Sequence, residues 1–330
     1  MTFKPRDGHG RGRISVFFLM LGLALLAASA AQAGGTGHYF AGLPNARDTV
    51  MPQPGFYIAD YSMYYHADRF YNDDGHKTDS VTLPNGNKVD VNVDVDLFVV
   101  APAFLYIAPW DVLGGHYGAY VIPTLSNTSL DASVSTISGF GRNASQSTFG
   151  FGDLFVQPLW LSWNREHWDF TVGYGFYAPT GRFNAGSTDN IGLGFWTQQF
   201  QGSVAWYPWA DRTTAVVGAF TYEFNSKVEG EDLTPGQRAS FNWAVDHYIP
   251  LDEKFLLDLA VTGYAQWQTT DDTGSDAANN NHDAVYAIGP QIGIIYLPSL
   301  LTATFRWNHE ITAVDRIAGD VFTLTLGAGF

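Results

Sequence analysis

The sequence predicts an all-β protein: an antiparallel transmembrane β-barrel of about 12 strands, preceded by a cleaved signal peptide. Three observations predict it. Residues 55–330 divide into twelve segments of about ten or more residues with strand character. The connections between them alternate short and long. The last segment, Val321 to Phe330, puts Phe322, Leu324, Leu326, Ala328 and Phe330 on one face and Thr323, Thr325, Gly327 and Gly329 on the other.

The leader comes first. Lys4, Arg6, Arg11 and Arg13 precede an apolar run from Ile14 to Ala28, and Ala31-Gln32-Ala33 supplies small residues for cleavage. No Cys follows, so a lipoprotein is excluded. The expected domains are the signal peptide (1–33), a Gly/Pro-rich segment (34–53) able to plug the lumen or trail into the periplasm, and the barrel (54–330).

The strands are expected at 55–67, 90–107, 113–125, 149–163, 167–178, 195–208, 212–226, 238–250, 254–268, 284–297, 300–311 and 320–330. Five connections are short and rich in Pro, Asn, Asp or Ser: 108–111, 164–166, 209–211, 251–253 and 298–299. The others, 68–89, 126–148, 179–194, 227–237, 269–283 and 312–319, are longer and polar. Short periplasmic turns and long extracellular loops mark transmembrane barrels, and an even strand number puts both termini in the periplasm. A terminal aromatic on the apolar face, Phe330, resembles the assembly signal of outer-membrane barrels.

Side-chain alternation divides the faces. In the second strand Val91, Val93, Val95, Leu97 and Val99 oppose Asp90, Asn92, Asp94 and Asp96; in the ninth Phe255, Leu257, Leu259 and Val261 oppose Asp258, Thr262, Tyr264 and Gln266. A carboxylate facing lipid costs a few kcal/mol near the midplane, so the acidic faces are assigned to a wet lumen. The lumen-facing candidates are Asp60, His66, Asp94, Asp96, Asp169, Glu223, Asp246, Asp258, Arg306 and Glu310. Arg306 is expected to pair with lumen carboxylates, and the acidic excess to favour cations over anions in any open pore. The third and fourth strands alternate poorly. Trp110, Trp163, Trp168, Trp206 and Trp209 lie beside short turns, as a periplasmic aromatic girdle would.

Composition excludes several classes. With 17 basic and 32 acidic residues the chain carries −15, and loss of the basic leader makes the remainder more acidic still. That disfavours nucleic acid. With no Cys there are neither disulfides nor thiolate metal sites. Ten Trp, 17 Tyr and 24 Phe fit a membrane barrel but also an aromatic-rich secreted β-protein. No GxSxG, GxxxxGK[ST] or HExxH motif is present, and no catalytic residue, cofactor or metal site is assigned. His282-Asp283 reads as a solvated loop pair, and Asp271 to Asp276 lacks the closing Glu of a calcium loop.

Two stretches carry a resemblance. One is Gly37-His38-Tyr39 followed by Pro52-Gln53-Pro54-Gly55-Phe56-Tyr57. The other runs from Gly152-Asp153-Leu154-Phe155-Val156-Gln157-Pro158-Leu159 through Ala178-Pro179-Thr180-Gly181-Arg182-Phe183 and Asn190-Ile191-Gly192 to Phe195-Trp196-Thr197. The chain resembles the bacterial outer-membrane family associated with the meta-pathway of phenol degradation. That resemblance implies an outer-membrane channel for passive uptake of small hydrophobic, including aromatic, compounds. Its partners would be outer-membrane lipid, the barrel-assembly machinery and the solute. Tyr177, Phe183, Phe195, Trp196, Tyr248 and Tyr264 are the candidate aromatic contacts, with plain lumen packing as the alternative. Two other functions stay open: a lipase-like outer-membrane enzyme, although Ser62 and His66, four apart on one strand face, lie too far apart to hydrogen-bond, and a surface-interaction barrel using loops 68–89 and 126–148.

Overall fold

The computed structural model describes residues 37–82, 88–136, 141–187, 189–277 and 282–330; the leader and its cleavage site lie outside them. Fifteen strands form one antiparallel sheet. They are β1 (Gly55–Tyr71), β2 (Ser80–Thr82), β3 (Lys88–Val112), β4 (Gly115–Ile122), β5 (Leu125–Thr136), β6 (Gly141–Phe151), β7 (Leu154–Asn164) and β8 (Trp168–Ala178). There follow β9 (Thr197–Trp206), β10 (Thr214–Asn225), β11 (Arg238–Pro250), β12 (Phe255–Gln268), β13 (Ala284–Tyr296), β14 (Leu301–Val314) and β15 (Arg316–Gly329).

The wall is a closed ring of twelve strands. β1 pairs with β15 from Tyr57↔Gly329 upward and with β3 from Gly55↔Ile107 upward, which joins the first strand to the last. Phe330 completes the seam: its N–H donates to the Phe56 carbonyl at 2.8 Å. Closure satisfies the edge groups that lipid cannot.

The long-loop end is more β-structured than the sequence suggests. β1 runs four residues past its expected end, β3 begins two residues before its expected start, and the expected loop 126–148 contributes β5 and β6. β4 with β5, and β6 with β7, are two interrupted strands, which explains their poor alternation. Pro123 has no N–H to give a ladder. The breaks are clamped to each other by the Gly152 amide on the Thr124 carbonyl (2.9 Å) and by Thr124 Oγ1 on the Asp153 carbonyl (3.0 Å). Register shifts at Gly118/Tyr120 and Val156/Leu159 scramble the faces further. At the first short turn β3 continues through 108–112, and the chain reverses at Leu113-Gly114, both left-handed at φ 53° and 72°. This is the geometry of a two-residue hairpin loop. The expected loop 312–319 shrinks to Asp315 alone.

The outer surface carries an apolar belt, including Phe56, Phe104, Phe200, Phe220, Phe241, Val261, Ile292, Phe305, Leu324 and Leu326, all exposed. Thr323 and Thr325, on the opposite face of β15, are buried. Charge breaks the belt at Asp60, which faces outward between Ile58 and Ser62 and accepts a hydrogen bond from Ser62 Oγ at 3.0 Å. Asp60→Leu is expected to raise the stability of the folded barrel in lipid by about 1–2 kcal/mol, read from the urea midpoint in vesicles. An unchanged or lower midpoint would mean that Asp60 does not lie within the apolar span.

Candidate functional site: the barrel lumen

Residues 37–53 run through the barrel interior from the long-loop end to the short-turn end, where β1 begins. Their own backbone groups are satisfied by the wall. The Tyr39 amide donates to Glu223 Oε1 (2.9 Å), Gln266 Nε2 donates to the Tyr39 carbonyl (2.9 Å), and the Ala46 amide donates to Gln291 Oε1 (3.0 Å). The Arg306 guanidinium donates to the Gly42 carbonyl. At the short-turn end Arg47 spends its whole fork. Nε meets Asp246 at 2.6 Å, NH1 the Arg212 carbonyl at 3.0 Å, and NH2 the Thr213 carbonyl at 2.9 Å. Its guanidinium lies 3.8 Å from the centroid of the Tyr248 ring.

At the other end the segment meets the loop between β8 and β9. Asp153, 7 % exposed, accepts the Gly181 amide (2.9 Å) and the Leu193 amide (2.8 Å) from that loop, and pairs with His38 Nε2 (2.9 Å). His38 Nδ1 lies 2.7 Å from Thr197 Oγ1, and its ring is stacked on Tyr177 and set edge-on to Phe195, each at 4.8 Å. The glycines make this approach possible. A Cβ on Gly192 would sit 2.6 Å from Asp153 Oδ1, and one on Gly181 would sit 2.6 Å from Gly192 Cα. Asn190 closes the loop by accepting the Asn184 amide (2.8 Å) and donating to the carbonyls of Asn184 (3.0 Å) and Ser187 (3.1 Å). The GHY, GD, APTG and NIG stretches of the sequence therefore converge on one node.

Between the inner segment and the wall lies a cavity of about 290 Å³, close to the lower end for small-molecule sites, about 300–1,000 Å³. β3 lines it with Leu97, Val99, Ala101, Ala103 and Leu105. Met63, Ile122, Phe155, Trp160 and Tyr177 continue the apolar surface, while Gln199, Gln201 and Thr49 add polar groups.

Six of the ten lumen candidates lie inside and buried. Asp169 accepts from Tyr207 Oη (2.7 Å) and Arg212. Glu223 and Asp246 hold the inner segment as described. Asp258 accepts from Gln291 Nε2 (2.7 Å), and Glu310 accepts from Tyr65 Oη (2.9 Å), Tyr264 Oη (2.8 Å) and the Gly319 amide (2.7 Å). Arg306 is bonded to Gly42 and Thr323 rather than to a carboxylate.

Four candidates face outward: Asp60, His66, Asp94 and Asp96. The register puts Ser62 and His66 opposite Val100 and Asp96 of β3, on the face opposite Tyr61 and Met63, which line the cavity. The alternation of β3 is real but its sense is the reverse of that expected. Its acids sit near the long-loop end, past the exposed Phe98 and Phe104, where the outer face meets water rather than lipid. His66 Nδ1 there lies 2.9 Å from Asp96 Oδ1.

The aromatic candidates divide similarly. Tyr177 lines the cavity, while Phe195 and Tyr264 are buried, Phe195 beside the His38 ring. Tyr248 is taken by Arg47, and Phe183 packs over Gly194 in the loop. Trp196 is 47 % exposed beside Phe176, on the outer surface rather than in the lumen. Trp110, Trp168, Trp206 and Trp209 are exposed at the short-turn end, and Trp163 donates to the Leu113 carbonyl at 3.3 Å.

Sequence reasoning missed the interior cations. Arg238 and Arg316 both approach Asp283, which is buried, not solvated as its Asn-rich surroundings suggested. Outside the spanning strands, Asp232 is held far below the usual carboxylate range by Lys227 and by the Ser275 amide and hydroxyl. A depressed folded pKa contributes stability above the unfolded value of about 3.9 and loses it only on further acidification. The Asp232 carboxyl is therefore expected to titrate below the free-aspartate range in carbon NMR, and a midpoint at the free value would refute the clasp.

Comparison with known proteins agrees with this architecture. An outer membrane channel from Pseudomonas putida F1 superimposes with a TM-score of 0.58 at 14% identity, over 87% of this chain and 100% of that one. The β domain of the Bordetella autotransporter BrkA gives 0.44 at 9% identity, over 84% and 100%. A monoaromatic hydrocarbon channel, CymD, gives 0.38 at 9% identity, over 92% and 97%. The first likeness shows the outer-membrane barrel fold; the other two are too loose to transfer a role. No curated protein matches by sequence. The sequence model of one family, described as "Putative MetA-pathway of phenol degradation", matches residues 67–326, and the chain belongs to that family.

Proposed function

We propose that the protein is a passive outer-membrane channel for small hydrophobic solutes, aromatic ones among them. The apolar crescent of β3 carries this reading: Leu97, Val99, Ala101, Ala103 and Leu105 turn inward onto the cavity. Five successive apolar positions on one lumen face offer an apolar solute a continuous surface along which to leave water. The hydrophobic effect moves such a solute from water into the crescent, and the polar lipopolysaccharide leaflet is bypassed. Residues 37–53 act as a plug that narrows the lumen to this crescent. The belt faces outer-membrane lipid, and the last strand with Phe330 is the element read by the barrel-assembly machinery. The test is uptake of radiolabelled p-xylene into lipopolysaccharide-bearing vesicles with and without the protein. Faster uptake with protein is expected, and equal rates would refute the proposal.

A further inference from the structure

Resting on that reading, we infer that the cavity selects solutes with an apolar ring and one hydrogen-bonding head group, the head held by Gln199 and Gln201 of β9. Both side chains line the cavity. Gln199 is 2 % exposed, and its Oε1 is sealed from solvent with no hydrogen-bond partner among the described residues. A buried amide left unsatisfied costs free energy, so an orphan facing a cavity marks the place of a polar partner.

The geometry around these amides keeps them free. The inner segment touches β9 above them, where His38 meets Thr197, and below them, where Ser203 Oγ donates to the Thr49 carbonyl at 3.4 Å. Between the two contacts it leaves the Gln199 and Gln201 faces to the cavity. On β8 the residues paired with them are Gly175 and Gly173, over which the Phe155 ring and the Gln157 carboxamide lie, and on β10 they are Glu223 and Thr221. Thr49 adds a third group: its Oγ1 is buried, unbonded and also lines the cavity. A polar strip on β9 thus shares one cavity with the apolar crescent of β3. A carboxamide both donates and accepts, so ring alcohols, ring amines and ring ketones all fit. A bare hydrocarbon leaves the amide orphaned.

Paired solutes of one shape test this. p-Cresol and p-xylene differ by a hydroxyl in place of a methyl. Uptake of both is measured in lipopolysaccharide-bearing vesicles, each corrected for the protein-free rate. The native protein is expected to favour p-cresol by about three- to tenfold, the worth of one net hydrogen bond. Gln199→Leu is expected to abolish the preference by slowing p-cresol relative to p-xylene. Gln201→Leu, which removes the less buried amide, serves if the first variant does not fold, and is expected to reduce the preference. Equal native rates for the two solutes, or a variant that slows both alike, would overturn the inference while leaving the channel intact. No protein-dependent uptake of either solute would instead refute the channel itself.

Discussion

Asp153→Ala is expected to open the long-loop end of the barrel. The substitution orphans the amides of Gly181 and Leu193 and one ring nitrogen of His38, all drawn to one buried carboxylate. At about 1–3 kcal/mol for each buried group left unpaired, the loss should be about 4 kcal/mol. It falls on two structures at once, the inner segment and the β8–β9 loop. Single-channel recordings in planar bilayers should therefore show a larger and noisier conductance, with a lower thermal midpoint. Asp153→Asn keeps the shape and an acceptor, and should lose less. A conductance identical to that of the native protein in Asp153→Ala would show that the node does not hold the segment in place.

Arg47→Ala attacks the other end. Asp246, whose side chain is fully shielded from solvent, loses its Nε partner at 2.6 Å, and the carbonyls of Arg212 and Thr213 lose theirs. Breaking a buried ion pair by removing one member costs about 3–5 kcal/mol. Arg47→Ala with Asp246→Ala together should cost less than Arg47→Ala alone, because no charge is left stranded. The reading is a double-mutant cycle on the urea midpoint. Strict additivity would mean the two side chains are not coupled in the folded barrel.

The barrel was legible in the sequence because its signal is distributed. Twelve strands and alternating connection lengths survive local error, and the seam at Phe330 follows from the count. The sense of a face is harder. Alternation tells that Val95, Leu97 and Val99 share a side, but not which side is wet. The rule that acids face the lumen succeeded at Asp169, Glu223, Asp246, Asp258 and Glu310, buried within the span. It failed at Asp94 and Asp96, because β3 continues beyond the lipid and water lies outside it there. Asp60 is a different failure, a carboxylate that the lipid face does carry. The inner segment has no periodicity to read. His38 meets Asp153 across 115 residues of chain and Ala46 meets Gln291 across 245. Only the clustering of Gly-rich motifs hinted that those stretches share a node.

The central claim is that solute passes along the apolar crescent between the inner segment and β3. Val99 lines that crescent from a half-buried position and belongs to neither anchor of the segment, and Val99→Trp fills it. The most direct measurement is p-xylene uptake into lipopolysaccharide-bearing vesicles holding equal amounts of native and Val99→Trp barrel, each shown to be folded. The account predicts that the tryptophan variant falls to the protein-free rate. Uptake at the native rate through a filled crescent would contradict it.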